Sequence, residues 1–271
     1  GSENKSPYVV PPGIPRDIDN TTIVQRRTNE QSLQICIEDL SDGDGRAIFK
    51  ESNFDLINYG RIKMFIHAEP KDNEILYDNE INAFLRFGSD YENNYYEIEL
   101  PLKITRPELL NQSSANLSRL VWPEENEINF SVDELLSLKS ERNREKIDIN
   151  TVFSKISSNG KYNMRIKGRP SLGSILNFMI GIKNPLSEDR ASKSACIWFN
   201  ELRLTDFDKT KGWAANASLN VKLSDIGNIS SSLRYTSVGF GSIQQKISER
   251  SREEKLQYDA SANINLDKLL P

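Results

Sequence analysis

Tyr91, Asn93, Asn94 and Trp122 carry the side chains best suited to hold a ligand. Aromatic rings stack beneath the apolar face of a sugar, and amides and carboxylates grip its hydroxyls. In the run SDYENNYYE, Asp90, Asn93 and Asn94 would supply those polar groups beside Tyr91. A simpler reading puts Tyr96 in a core beside Ile98 and Leu100, and Tyr91 in a turn. Glu97 and Glu99 share a strand face, and paired carboxylates can run glycosidase chemistry. Carboxylates at i and i+2 on a solvent face are also commonplace, and nothing in the sequence marks a raised pKa. His67 is the only histidine. Between Ile66 and Ala68 on a strand it reads as a hydrogen-bonded packing residue. One histidine builds neither a His-based metal cluster nor a Ser-His-Asp triad. Asp42 and Asp44 in SDGDG suggest a calcium loop, but the ligand spacing fails after Gly45, so a hairpin turn is expected. No glycine-rich phosphate loop appears. The residues therefore predict no catalytic site, no metal and no cofactor.

The two cysteines, Cys36 and Cys196, lie in separate strand-like runs without a CxxC spacing. They form a disulfide if the first and last strands of a domain pair in an oxidising compartment, and stay separate thiols otherwise. Across 271 residues, hydrophobic content is 37% and net charge is −4, so no basic field exists for nucleic acid. No apolar window is long enough for a transmembrane helix. Gly1 and Ser2 read as a protease scar from expression.

Positioning these residues requires strands. Residues 1–31, rich in proline, read as an extended arm rather than a packed element. LQICIED is a first strand. RIKMFIHAE follows, with Met64, Ile66 and Ala68 on one face and Phe65, His67 and Glu69 on the other. Bulk on both faces places that strand centrally. INAFLRFGS, YYEIELPLKI, KYNMRIKG, ILNFMIGIKN and SACIWFNELRL continue the period-two pattern. One helix opens at Ser131, where SVDE reads as a capping box and Leu135, Leu136 and Leu138 as an apolar stripe. The pattern predicts an all-β fold: an antiparallel β-sandwich, jelly-roll-like, over residues 32–208, with one short helix.

Residues 209–271 differ. In GWAANASLNVKL, Trp213, Ala215, Ala217, Leu219, Val221 and Leu223 face one way, and Ala214 and polar residues the other. ISSSLRYTSV and YDASANINLD add two further alternating strands. Their length and dyad period fit staves of an outer-membrane β-barrel, and a soluble antiparallel sheet alternates the same way. Trp198 reads as a packing anchor. Trp213 marks the entry to the second sheet.

Several longer runs narrow the choice. NEQSL at 29–33, NYGRIKMFIHAE at 58–69, AFLRFGSDYENNYYEIELPL at 83–102, WPEENE at 122–127, KGRPSLGSI at 167–175, IWFNELRLTDFDKTKGWAANASLNVKL at 197–223 and GFGSIQQKISERSREEKLQYD at 239–259 together resemble the SprA/Sov family. That family forms the outer-membrane translocon of the type IX secretion system in Bacteroidetes, which also serves gliding motility. Its members are single-chain β-barrels far longer than this chain.

The resemblance implies an excised segment of a protein-exporting barrel, with no enzymatic activity. It implies the outer membrane of a Gram-negative bacterium, with the sandwich in the periplasm or on the cell surface. Other secretion subunits and exported cargo would be the partners, and LTDFDKTKGW would be a short joint between sandwich and wall. Trp213 would sit at a membrane interface. Neighbouring staves would lie beyond residue 271. The competing expectations are a carbohydrate-binding module at the cell surface and, less favoured, an adhesin.

Overall fold

A computed structural model describes residues 6–14, 18–19, 26–27, 32–71, 74–106, 114–208, 212–242, 244–245, 250–251 and 253–268. Alternating apolar residues give mainly antiparallel strands. In chain order they are β1 (Ile18–Asp19), β2 (Arg26–Arg27), β3 (Leu33–Leu40), β4 (Gly45–Phe54), β5 (Tyr59–Pro70), β6 (Asn82–Gly88) and β7 (Tyr95–Pro101). Helix α1 (Ser114–Val121), β8 (Ile128–Ser131) and helix α2 (Val132–Arg144) follow. The remainder are β9 (Phe153–Ile156), β10 (Asn163–Lys167), β11 (Ile175–Lys183), β12 (Lys193–Phe207), β13 (Ala214–Leu223), β14 (Gly227–Thr236) and β15 (Lys255–Ile264). The chain divides into two compact units, Gly1–Phe207 and Asp208–Pro271.

The first unit is a β-sandwich. One sheet has the order β3-β12-β5-β8 and the other β4-β11-β6-β7-β10-β9. With the β9–β10 hairpin set aside and the eight other strands renumbered along the chain, the orders become 1-8-3-6 and 2-7-4-5, those of a jelly roll. Chain neighbours thus often fall in opposite sheets. The SDGDG turn is one such crossing: Asp44 N–H donates to the Ser41 carbonyl at 3.0 Å and Gly43 has φ +79°. It is not a hairpin, because β3 and β4 belong to different sheets.

The core lies between the two sheets. Met64, Ile66 and Ala68 of β5 meet Leu85 of β6, Ile98 of β7 and Ile166 of β10 in one buried apolar cluster. First and last strands pair, and Cys36 lies opposite Cys196 in the β3–β12 register. A disulfide joins them. Strand β12 carries a bulge between Asn200 and Arg203, with Glu201 at φ +52°. Such a bulge bends the strand locally.

Several local expectations change. Ser131 is the N-cap of α2, but no side-chain cap bond forms. Ser131 is also the last residue of β8, paired with Arg61, and Glu134 instead accepts the Ser158 N–H at 2.8 Å. Leu136 is exposed, and the buried face of α2 runs through Val132, Leu135, Leu138 and Arg142. A second helix, α1, precedes it. Within the proline-rich arm, residues 6–14 are packed: Val9 and Ile14 lie against a cluster of Phe65, Val121, Trp122 and Trp198.

The second unit is an open antiparallel sheet, β13-β14-β15. Its strands pair over their full ten residues in an unbroken antiparallel register. The described residues form no closed barrel.

Candidate functional site

Tyr91, Asn93, Asn94 and Trp122 do not converge. The first three build the β6–β7 turn beside the six-stranded sheet, where the Tyr91 ring packs on Phe49 at 5.0 Å. The two asparagine amides are engaged in holding the loops. Asn94 donates to Asp90 at 2.8 Å and accepts the Arg169 N–H at 2.9 Å, while Asn93 accepts Lys167 at 3.3 Å. Trp122 lies instead over the outer face of the other sheet, only 2% exposed, with its indole N–H given to the Val9 carbonyl at 2.6 Å. A sugar platform needs an open ring face, and this one is covered.

Asp90 organises that turn. Its Oδ1 accepts the backbone N–H groups of Glu92, Asn93 and Asn94 at 3.0, 2.5 and 3.0 Å. Desolvation works against the charge, but the Asn94 amide and these N–H groups prevail and bring its pKa down to about 2. Close approach fixes the loop from below. A Cβ on Gly168, at φ +71°, would lie 1.9 Å from the Asn93 carbonyl oxygen.

Glu97 and Glu99 do not sit on a solvated face. Each is 4% exposed. Arg86, Glu97 and Arg165 form a row across β6, β7 and β10 in the strand register. Arg86 Nε donates to Glu97 at 2.6 Å, and Arg165 bridges Glu97 and Glu99. Asn82 donates to Glu99 at 2.5 Å, and Arg86 stacks over the Tyr95 ring at 4.1 Å. Burial raises the Glu99 pKa, but bonds from Arg165 and Asn82 outweigh it and hold the carboxyl below its ordinary value. A carboxylate held ionised has no proton to give, so Glu99 is poorly suited to be the general acid of a glycosidase.

His67 is fully buried. Its Nδ1 lies 2.8 Å from the Val121 carbonyl, and its ring stacks on Trp198 at 4.2 Å. Glu69, also buried, accepts the Ser6 N–H at 3.0 Å. Burial opposes the charge on Glu69, yet the bonds from His67 and Ser6 hold its pKa below the usual carboxylate value. Among the described residues, no three His, Cys, Asp or Glu side chains are grouped to hold a metal ion.

The second sheet carries an exposed apolar surface that these residues do not explain. Its rows Ala217–Leu233–Tyr258, Val221–Ile229–Ala262 and Leu223–Gly227–Ile264 lie on one face. Asn216–Arg234–Gln257, Ser218–Ser232–Asp259 and Asn220–Ser230–Ser261 lie on the other. Leu219, Leu256 and Tyr258 are 60, 63 and 77% exposed. Trp213, also exposed, stacks on Tyr235 at 4.5 Å at one end. Sequence alternation predicts both faces, whereas only the structure shows the apolar one uncovered among the described residues.

Over residues 1–271 the chain matches the SprA_N family, described as motility related/secretion protein. The chain belongs to that family. SprA_N is a family of secretion and motility proteins rather than one of enzymes. No curated protein matches the chain. No helix among the described residues is long and apolar enough to cross a membrane, which says nothing about strands.

Proposed function

We propose that this SprA_N chain is a structural segment of the type IX outer-membrane translocon, which exports proteins across the outer membrane and supports gliding motility. In this reading residues 209–271 are staves of the barrel wall. Residues 32–208 are a rigid fitting that offers surface to other secretion subunits or to cargo. The role is mechanical, with no catalysis, cofactor or nucleic acid.

The observation that carries the reading is the uncovered face of β13–β15. A water-soluble sheet with one apolar face buries it, because exposing Leu219, Leu233 and Leu256 forgoes about 1.5–3 kcal/mol per side chain. Ten-residue strands span about 33 Å, and a barrel tilt of about 40° reduces that to about 25 Å along the normal, the height of an outer-membrane apolar band. Trp213 and Tyr235 suit the interfacial girdle. The disulfide agrees with an oxidising compartment such as the periplasm or cell surface.

The test is genetic. Cells whose parent gene lacks the codons for residues 32–208 are expected to lose cargo export and gliding while still making the truncated protein. Normal export from such cells would contradict the fitting role.

A further inference from the structure

The outer face of the β3-β12-β5-β8 sheet holds a groove that the barrel reading does not use. Its floor is Phe65 and His67 of β5, Trp198 of β12, and Trp122 beyond α1. Residues 6–14, with the sequence SPYVVPPGI, lie in it. Pro7, Pro11 and Pro12 fix their own φ, and each restricts the residue before it to extended backbone. The segment therefore loses little entropy on docking. It ends in a turn with Ile14 N–H on the Pro11 carbonyl at 3.4 Å and Gly13 at φ +78°.

The contacts are those of peptide recognition. Trp122 Nε1 donates to the Val9 carbonyl, and Ser118 Oγ donates to the Val10 carbonyl at 2.8 Å. The Tyr8 ring contacts both indoles, with centroids 6.2 Å from Trp122 and 6.1 Å from Trp198, and Asn200 Nδ2 donates to its hydroxyl at 2.8 Å. Glu69 receives the Ser6 N–H. Side chains of α1, of Trp122 just beyond it and of β5 grip backbone of the segment, which is how aromatic grooves read proline-rich ligands. None of residues 6–14 belongs to the core between the sheets. Beside the segment, a cavity of about 520 Å³ lined by Pro12, Phe65, Trp122 and Pro123 remains open.

One further atom points to a ligand. Trp198 is 2% exposed, and its indole N–H has no acceptor among the described residues. A buried donor of this kind costs about 1–3 kcal/mol if left unmet. Residues 6–14 supply no acceptor for it.

We propose that this face is a receptor groove for an extended proline-rich peptide, and that residues 6–14 are its tethered ligand. The site is a property of the sandwich and stands apart from the barrel reading. A free copy of the segment competes poorly against the tethered one, whose effective concentration is in the millimolar range. Unseating the tether opens the groove.

The test uses the full chain carrying Tyr8→Ala with Val9→Gly, and a fluorescein-labelled synthetic peptide of residues 5–15 as probe. Fluorescence anisotropy is expected to give saturable binding at least about tenfold tighter than to the unaltered chain. Adding Trp122→Phe, which keeps a ring and removes the N–H, should weaken it about tenfold. A peptide with Ala in place of Tyr8 should not bind. A variant that unfolds cooperatively yet leaves the probe free overturns the proposal. So does a variant that loses cooperative unfolding, since residues 6–14 would then be part of the core rather than a ligand.

Discussion

Cys36 on the first strand of the sandwich lies directly across from Cys196 on the last, and their bond closes a loop with a sequence separation of 160. A cross-link over so long a loop acts mainly on the unfolded chain, removing conformations it would otherwise explore. Reduction, or Cys36→Ser with Cys196→Ser, should lower stability by about 2–5 kcal/mol. Urea midpoints with and without reductant measure this, and equal midpoints would contradict it.

Arg165 bridges two carboxylates that are both almost fully buried. Arg165→Ala would leave Glu97 with Arg86 alone and Glu99 with Asn82 and a distant Lys183. An underpaired buried charge is costly, so the loss should be about 3–5 kcal/mol. Replacing Arg165, Glu97 and Glu99 together by apolar residues of similar size should recover much of it, because the charges and their desolvation vanish together. Denaturant unfolding of the single and triple variants checks both statements.

Acid should expose the Asp90 turn. Its folded pKa is about 2, below the ordinary value of 3.8. The deprotonated form is therefore favoured by the fold. The contribution is fully present above the unfolded pKa and is lost as pH falls from about 4 through about 2. Solvent screening reduces its size below what the shift alone implies. Asp90→Asn should cost about 1 kcal/mol at neutral pH, and the difference from the unaltered chain should shrink toward pH 2. Thermal unfolding against pH measures it.

On the second sheet, Leu233 and Ser232 are neighbours that point to opposite faces. Leu233→Arg in the parent protein should impair insertion by about 2–4 kcal/mol if that position sits near the bilayer midplane, whereas Ser232→Arg should not. Heat-modifiable migration of outer-membrane fractions reports the folded share. Equal effects at the two positions would argue against a lipid-facing side.

Much of this architecture was legible in sequence because a half-buried strand writes its environment as a period of two. β5, β6, β7 and β12 announce themselves that way, and so do the three strands of the second sheet. β4 does not, since GRAIFKESNF is an exposed edge with no clean alternation. β8 and β9 have four residues each, too few to show a period. Glu97 and Glu99 read as solvated because their burial depends on Arg86 and Arg165, which only strand register brings alongside. The prolines of residues 6–14 are legible as restricted backbone, but what the segment packs on is set by Trp122 and Trp198, far away in sequence. The aromatic candidates divided for the same reason: Tyr91 and Trp122 are separated by the whole thickness of the sandwich.

The central claim is that one side of β13–β15 meets lipid and the other meets water. Spin labels placed singly at 217, 219, 233 and 258, and at 218, 232 and 259, in the parent protein reconstituted in bilayers, test it directly. The account predicts that oxygen quenches the first set more strongly and a water-soluble nickel chelate the second, alternating residue by residue. Uniform accessibility to the chelate at both sets, or the same protection at both, would contradict it.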